Sequence, residues 1–294
     1  MVVSYIGLEN MDGNALHVEV FKPDTGVEVK GVLQIVHGMT EHIGRYMEFA
    51  ERFCKEGYVV VGCDLSGHGR SVIIGESDKL YVKSWKVWIR DVKTVYDYIE
   101  SWYRELPVYI LGFSLGSFVV RCMPLEWLDK YSKVILCGTG YTPSVILSAI
   151  SLVVRVCNLT NMNKISGMCR SICFDSYAKK FKGRDYLYWL LTDEAERHSY
   201  SVDPYVCRNF TPMFLVEFFR CMKESNRFNA IKGKPYLFLS GSLDPVGENV
   251  DRVYKAFKKL SCKASMYKFD GYTHDILHDK CFSVVAERVL SFIS

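Results

Sequence analysis

The chain carries a serine, an aspartate and a histidine in positions that would let them act together on an acyl group. Ser114 sits between two glycines in "VYILGFSLGSFVV", residues Val108 to Val120, where an apolar run gives way to a second one. A serine hydroxyl is a poor nucleophile until a base removes its proton, and the base needs an acid to orient it. Gly112 and Gly116, two residues away on either side, let a strand turn sharply into a helix, because small neighbours allow the two elements to approach closely. Such a turn lifts the hydroxyl clear of the sheet edge. The first amides of the following helix then face the same spot and favour negative charge there.

An acid and a histidine are expected later in the chain, each just past a strand. Asp244 leaves the apolar run "PYLFLSG", and His274 follows "SMYKFD" in the segment "GYTHDILHD". Of the other histidines after the serine, His198 falls in a helical region and His278 lies just ahead of the last helix. Among the acids, Asp251 falls inside a helix and Asp270 precedes the histidine loop. Chain order and placement favour Ser114, Asp244 and His274. Acyl transfer also needs amide donors aimed at the tetrahedral oxygen. The backbone N–H groups of Leu115 and of Met39, in the loop after "GVLQIVHG", are placed for that. His37 and Gly38 shape this loop, and Glu41, His42 and Arg45 are expected to brace it by hydrogen bonds. Gly67, His68 and Gly69 read as a tight turn, since no ligand cluster near His68 points to a metal, and Asp64 reads as structural. Phe113, Tyr186, Trp189 and Leu190 are the candidate pocket residues, although the apolar run Tyr186 to Leu191 is equally compatible with ordinary core. The expected chemistry is a two-step acyl transfer through Ser114 that requires no metal and no organic cofactor.

The elements that must position these residues alternate after a β start. Two alternating runs flank Asp12-Gly13-Asn14, a hairpin signal. "GVLQIVHG", "YVVVGCD", "VYILGF", "KVILCGT", "PYLFLSG" and "SMYKFD" read as strands, and the first three as buried ones. Helical spacing marks Tyr46 to Phe53, the stripe from Trp85 through Trp102, Ser117 to Leu128 with a break at Pro124, Asn249 to Leu260, and Cys281 to Ile293. This order predicts an α/β fold, a mostly parallel sheet with helices on both faces. From residue 139 to 233 the alternation lapses into segments read as helices, among them Ser176 to Tyr200. The expected organisation is a core in two parts, 1–138 and 234–294, with residues 139–233 inserted as a helical cap.

Composition narrows the function. With 49% apolar and 24% charged residues the 294-residue chain matches ordinary globular proteins. A net charge of +4 is spread along the chain, too weak for a nucleic-acid partner. The eleven cysteines show no metal-binding spacing, and with no signal-like apolar segment at the start the expected compartment is the reducing cytoplasm. The run from Val145 to Leu159 contains Arg155 and is too short to span a bilayer. Two readings stand for Val145 to Val156: a helix resting on its own core, or a transient contact with a micelle or membrane. Nothing in the pattern speaks to oligomeric state.

"HGMTEHIGRY" (37–46), "DLSGHGRS" (64–71) and "GFSLGS" (112–117), with "SGSLDPVG" and "GYTHDILHD", resemble the monoacylglycerol lipase and lysophospholipase branch of the α/β-hydrolases, a serine aminopeptidase-type group. The resemblance covers the core, with the cap only loosely similar. It implies the α/β-hydrolase fold, a Ser114–Asp244–His274 triad, an oxyanion hole from Met39 and Leu115, and small-molecule carboxylic esters as substrates. Phe113, Leu115 and Ser117 stand where the branch more often has His, Met and Gly. Three rivals remain: a proline-type aminopeptidase, which would need an acid such as Glu194 or Glu196 to hold a free amine; a thioesterase or aryl esterase; and an inactive ligand-binding relative. A haloalkane-type reaction is disfavoured, because it wants a carboxylate where Ser114 stands.

Overall fold

A computed structural model describes residues 1–72, 78–260 and 263–294. Eight strands form one sheet: β1 (Val2–Glu9), β2 (Ala15–Lys22), β3 (Gly31–Val36), β4 (Tyr58–Cys63), β5 (Val108–Phe113), β6 (Lys133–Cys137), β7 (Pro235–Gly241) and β8 (Lys263–Phe269). Their order is β1-β2-β4-β3-β5-β6-β7-β8. The β1–β2 and β2–β4 pairs are antiparallel and all others parallel. The hairpin turn is held by Asn10, whose Oδ1 accepts from the backbone N–H of Asp12 and of Asn14.

β3, β4 and β5 are buried along their whole length, as largely apolar runs in a parallel sheet should be. The period-two alternation of side chains sends successive residues to opposite faces. Leu33, Ile35, Leu111, Ile135 and Leu237 enter one core. Val32, Val36, Ile110, Val134 and Phe238 enter the other. The single polar residue within β3, Gln34, is satisfied: it donates to Val92 O at 2.9 Å and accepts from Tyr131 Oη at 2.7 Å.

The helices are α1 (Met47–Lys55), α2 (Lys86–Trp102), α3 (Leu115–Arg121), α4 (Leu125–Leu128), α5 (Ser144–Cys157), α6 (Gly167–Arg170), α7 (Ser176–Ala178), α8 (Glu194–Val202), α9 (Pro212–Ser225), α10 (Val250–Lys259) and α11 (Phe282–Ile293). α1 and α11 share the first core, while α2, α3 and α10 feed the second. α5 through α9 all lie between β6 and β7. α9 starts cleanly, with Thr211 Oγ1 accepting from Phe214 N at 3.1 Å and Pro212 at its first position. None of the described helices is long and apolar enough to cross a membrane.

Three expectations need correction. The helix after the serine begins at Leu115, not Ser117, and Pro124 separates it from α4 as a second short helix. Ser176 to Tyr200 is not one helix: α7 gives way to turns from Lys182, and α8 starts only after Asp193, whose carboxylate accepts from Ala195 N and Glu196 N. Asp185 accepts from Leu187 N and Gly183 adopts φ +79°, which together break the helical repeat. Trp102, read as part of the helical stripe of α2, lies off its buried face and is 71% exposed.

The sharpest packing constraint lies at the end of β5. A Cβ on Gly116 would meet Val36 O at 2.0 Å, and one on Gly112 would meet Gly116 O at 2.6 Å. Strand β3, strand β5 and helix α3 therefore touch through backbone alone. Gly116→Ala is expected to lower stability by about 3 kcal/mol or to leave the chain insoluble, since the clash is with backbone that cannot rotate away. Thermal denaturation against wild type checks this, and a melting temperature unchanged within a degree would contradict it.

Candidate active site

Ser114 occupies the turn between β5 and α3 with φ 49° and ψ −114°, a strained conformation for a residue with a side chain. Its N–H donates to Cys137 O of the neighbouring β6 at 2.9 Å, which ties the turn to the sheet. His274 and Asp244 arrive from the loops after β8 and β7. His274 Nε2 lies 2.8 Å from Ser114 Oγ, and its Nδ1 lies 2.9 Å from Asp244 Oδ1. Asp244 also accepts from Val246 N at 2.8 Å through the same Oδ1, so its own loop holds it still. With Nδ1–H donating to the carboxylate, Nε2 is left as an acceptor for the serine proton. His274 is buried, and burial alone would lower its pKa. The neighbouring Asp244, helped by Asp275 and Glu41, outweighs that and holds it above the ordinary histidine value.

The competing residues are elsewhere. His198 is exposed, Asp251 pairs with Lys268, and Asp270 accepts from Ser242 Oγ. His278 lies on the far side of Asp275: its Nδ1 is 2.8 Å from that carboxylate, and its Nε2 faces Arg45 O at 3.2 Å.

The loop after β3 is held from several directions. His37 Nε2 accepts from Leu65 N at 2.8 Å, so the proton must sit on Nδ1, which donates to Gly38 O at 2.7 Å. Burial pushes the His37 pKa down to about 3, which keeps the ring in that neutral tautomer. Glu41 accepts from Gly38 N at 2.6 Å, from Tyr46 Oη at 2.8 Å, and from Arg45. Arg45 also reaches Asp275 at 3.3 Å. His42 faces Asp203 at 2.9 Å. Asp64 accepts from Ile43 N at 2.8 Å and Arg70 N at 2.7 Å, joining this loop to the turn holding Gly67, His68 and Gly69. His68 is buried against His37, Trp88 and Phe214 rings, and burial pushes its pKa down to about 3.

Ser114, His274 and Met39 line a single cavity of about 540 Å³, mostly apolar, whose walls include Leu147, Ile150, Phe218 and Met222. Leu115 is buried directly behind the serine.

Residues 27–281 match the protein family described as "Serine aminopeptidase, S33". The chain belongs to this family. It is similar along 98% of its length to the monoglyceride lipase of Mus musculus, 26% identical over 297 residues that cover 89% of that protein. A monoglyceride lipase homolog of Monkeypox virus is 24% identical over 270 residues, 91% of this chain and 89% of that one. A thermostable carboxyl esterase from Bacillus coagulans, whose structure is solved, superposes with a TM-score of 0.86 at 22% identity, covering 100% of this chain and 98% of the other. That likeness is one of fold, and the fold is that of the α/β-hydrolases.

In this α/β-hydrolase, three of the four candidate pocket residues, Phe113, Trp189 and Leu190, line the cavity. Tyr186 does not: it donates to Asp175 at 2.6 Å and stacks on the outer side of the buried Phe174 ring. Several lining residues escaped the sequence reading. Tyr200 meets Thr40 with 2.5 Å between their hydroxyl oxygens. Phe218, Phe219 and Met222 come from α9, and Leu147, Ile150 and Val153 from α5. The helical apolar spacing of α5 and α9 was a readable signal for a buried face, but not for which cavity that face would line.

Asp244→Asn removes the charge that keeps the His274 pKa up while leaving the ring buried. The imidazole is then expected to titrate at lower pH than in wild type, followed through its Cε1 proton by NMR. An unchanged or higher midpoint would contradict the assignment of Asp244 as the dominant partner.

Proposed function

We propose that this chain is a serine carboxylic ester hydrolase acting on monoacylglycerols, through an acyl-enzyme formed on Ser114. The observation that carries the reading is the relay Ser114–His274–Asp244 opening directly into a large apolar cavity. Kinship with monoglyceride lipases supports the same reaction.

The ester enters with its acyl chain against the apolar wall. Ser114 Oγ attacks the carbonyl carbon while His274 Nε2 takes the hydroxyl proton, and the Asp244 carboxylate stabilises the resulting imidazolium. The carbonyl oxygen becomes an oxyanion, and the backbone N–H groups of Leu115 and Met39 are the donors we assign to it. Such a donor contributes roughly 3–4 kcal/mol to the barrier in comparable enzymes. His274 returns the proton to the departing alkoxide, and glycerol leaves. Water, deprotonated by the same imidazole, then attacks the acyl-enzyme and releases the fatty acid. Every proton moves through Nε2, so His274 must be neutral at the start of each half-reaction.

The polar corner of the cavity favours an uncharged alcohol. Thr40, Tyr200, Glu41 and Arg45 all line it, but Arg45 is the one cation among the described lining residues, and it is already held by Glu41 and Asp275. Among the described residues no free cation there would receive the phosphate of a lysophospholipid, whereas hydroxyls could meet the Thr40–Tyr200 pair. The aminopeptidase reading wants a free carboxylate for the substrate amine. Neither Glu194 nor Glu196 lines the cavity, and the two acids among the described lining residues, Glu41 and Asp275, are bound to Arg45.

Residues 139–233 form the cap in this reading, with α5 at the rim. Ile150 and Val153 of α5 line the cavity, while Val145, Leu152 and Val156 are 80%, 62% and 58% exposed. An exposed apolar stripe beside the entrance suits transient contact with a micelle or membrane from which the substrate is drawn. The ten described cysteines are free thiols, which suits a reducing compartment, and we place the enzyme in the cytoplasm.

Ser114→Ala should reduce turnover of a p-nitrophenyl ester by at least about 10⁴-fold with the fold intact by circular dichroism. Wild type should hydrolyse 1-monooleoylglycerol faster than lysophosphatidylcholine and show no turnover of aminoacyl naphthylamides. Activity surviving in the variant would end the Ser114 assignment, and a preference for the naphthylamide would favour the peptidase.

A further inference from the structure

The edges of the His274 ring are held by Asp244 and Ser114, but two aromatic rings also lie beside it that the two-step chemistry leaves without a task. The Phe113 ring centroid is 5.1 Å from the imidazole at an interplanar angle of 36°, and the Trp189 indole is 6.0 Å away at 28°. Both fall within the roughly 6 Å over which an aromatic face attracts a cation. Both are buried, so solvent does little to weaken that attraction.

The two rings come from different places. Phe113 is the last residue of β5 and precedes the serine, so the strand fixes it. Trp189 belongs to the segment between β6 and β7 and is fastened to the histidine loop by backbone. Its carbonyl accepts from His274 N at 3.3 Å, and the next carbonyl, of Leu190, accepts from Asp275 N at 2.7 Å. Thr192 then donates from its N–H and its hydroxyl to Asp279, at 2.6 and 2.8 Å. The indole is wedged against Phe174 at 5.2 Å and Tyr177 at 5.0 Å. Its Nε1 is buried without a partner among the described residues. A buried N–H left unpaired is costly, so the indole is seated by its ring contacts rather than by a hydrogen bond. Behind the imidazole a Cβ on Gly138 would stand 3.0 Å from both His274 Cε1 and Phe113 Cε2, so little room is left for the ring to slide.

We propose that Phe113 and Trp189 are positioning residues, an aromatic clamp that keeps the imidazole in line between Asp244 and Ser114 and favours its charged form during ester cleavage. The clamp rests on the reading of Ser114 as the nucleophile. The charge on the ring also feels Asp244 and Asp275 from the loops after β7 and β8 and Glu41 from the loop after β3, while Arg45 and His278 face it from beyond Asp275 and act on that carboxylate. A test must leave all of these in place. It must also separate ring electrostatics from bulk.

Replacing Phe113 with pentafluorophenylalanine keeps the ring's outline and reverses its quadrupole. With p-nitrophenyl acetate, too small to need the acyl cavity, this variant is expected to lose about tenfold in kcat while KM stays within about twofold, and the acid limb of its kcat/KM profile should move to lower pH, because the imidazolium has lost stabilisation. Trp189→Leu should behave alike, and Trp189→Phe should restore most of the rate. An acid limb that stays in place in the fluorinated variant, or a loss confined to KM, would overturn the clamp. Ser114→Ala run beside them separates the two ideas: turnover in that variant removes the nucleophile and the clamp together, whereas wild-type behaviour of the ring variants alone removes only the clamp.

Discussion

The backbone crossing at Gly116 is the constraint on which the site depends. Helix α3 can follow β5 so closely past the end of β3 only because nothing but a hydrogen stands between Gly116 and the carbonyl of Val36. That contact sets α3 on the end of β3, so the loop after β3 has to emerge beside Ser114. Met39 reaches the same cavity as the serine for this reason. Holding Ser114 at φ 49° costs on the order of 1–3 kcal/mol. The surrounding sheet, buried on both faces, over-determines the geometry and absorbs the strain.

Charge is managed in the same neighbourhood by pairing rather than by solvent. Glu41, Arg45 and Asp275 form a chain of alternating sign, nearly dry, that runs from the loop after β3 to the histidine loop and continues to the imidazole of His278. Burial pushes the Asp275 carboxyl up, but His278 and Arg45 override that and hold it below the ordinary carboxylate range. A buried ionic chain of this kind adds little net stability. Its effect here is to fix the distance between two loops that come from opposite ends of the sequence. With their charges engaged in holding the two loops, these residues leave the cavity wall mostly apolar.

Much of this was legible in the sequence because it is written in backbone requirements. Glycines at 112 and 116, strand runs of β-branched residues, and polar residues just past strand ends report local geometry, and the residues so marked, Ser114, Asp244 and His274, lie in hydrogen-bond contact. The segment between β6 and β7 was read less well. α5 packs on α9 and α9 on α3, with mixed faces, so apolar spacing alone did not distinguish core from cavity wall or from exposed stripe. Ser176 to Tyr200 has helical composition, yet Gly183 and the Asp185 and Asp193 side chains cut it into turns. Tyr186, read as pocket, stands outside because that turn carries it round to the surface, while Trp189, three residues on, is turned inward to His274. The partnership of Thr40 with Tyr200 joins positions far apart in the chain and left no local trace.

The central claim is that one strained serine, activated by one imidazole, forms a covalent acyl intermediate. A fluorophosphonate, which reacts only with an activated hydroxyl and mimics the tetrahedral state, tests it most directly. After incubation and digestion, mass spectrometry should find a single phosphonylated peptide, carrying the adduct on Ser114, and none when His274 is replaced by alanine. An unmodified protein, or an adduct on a different serine, would contradict the account.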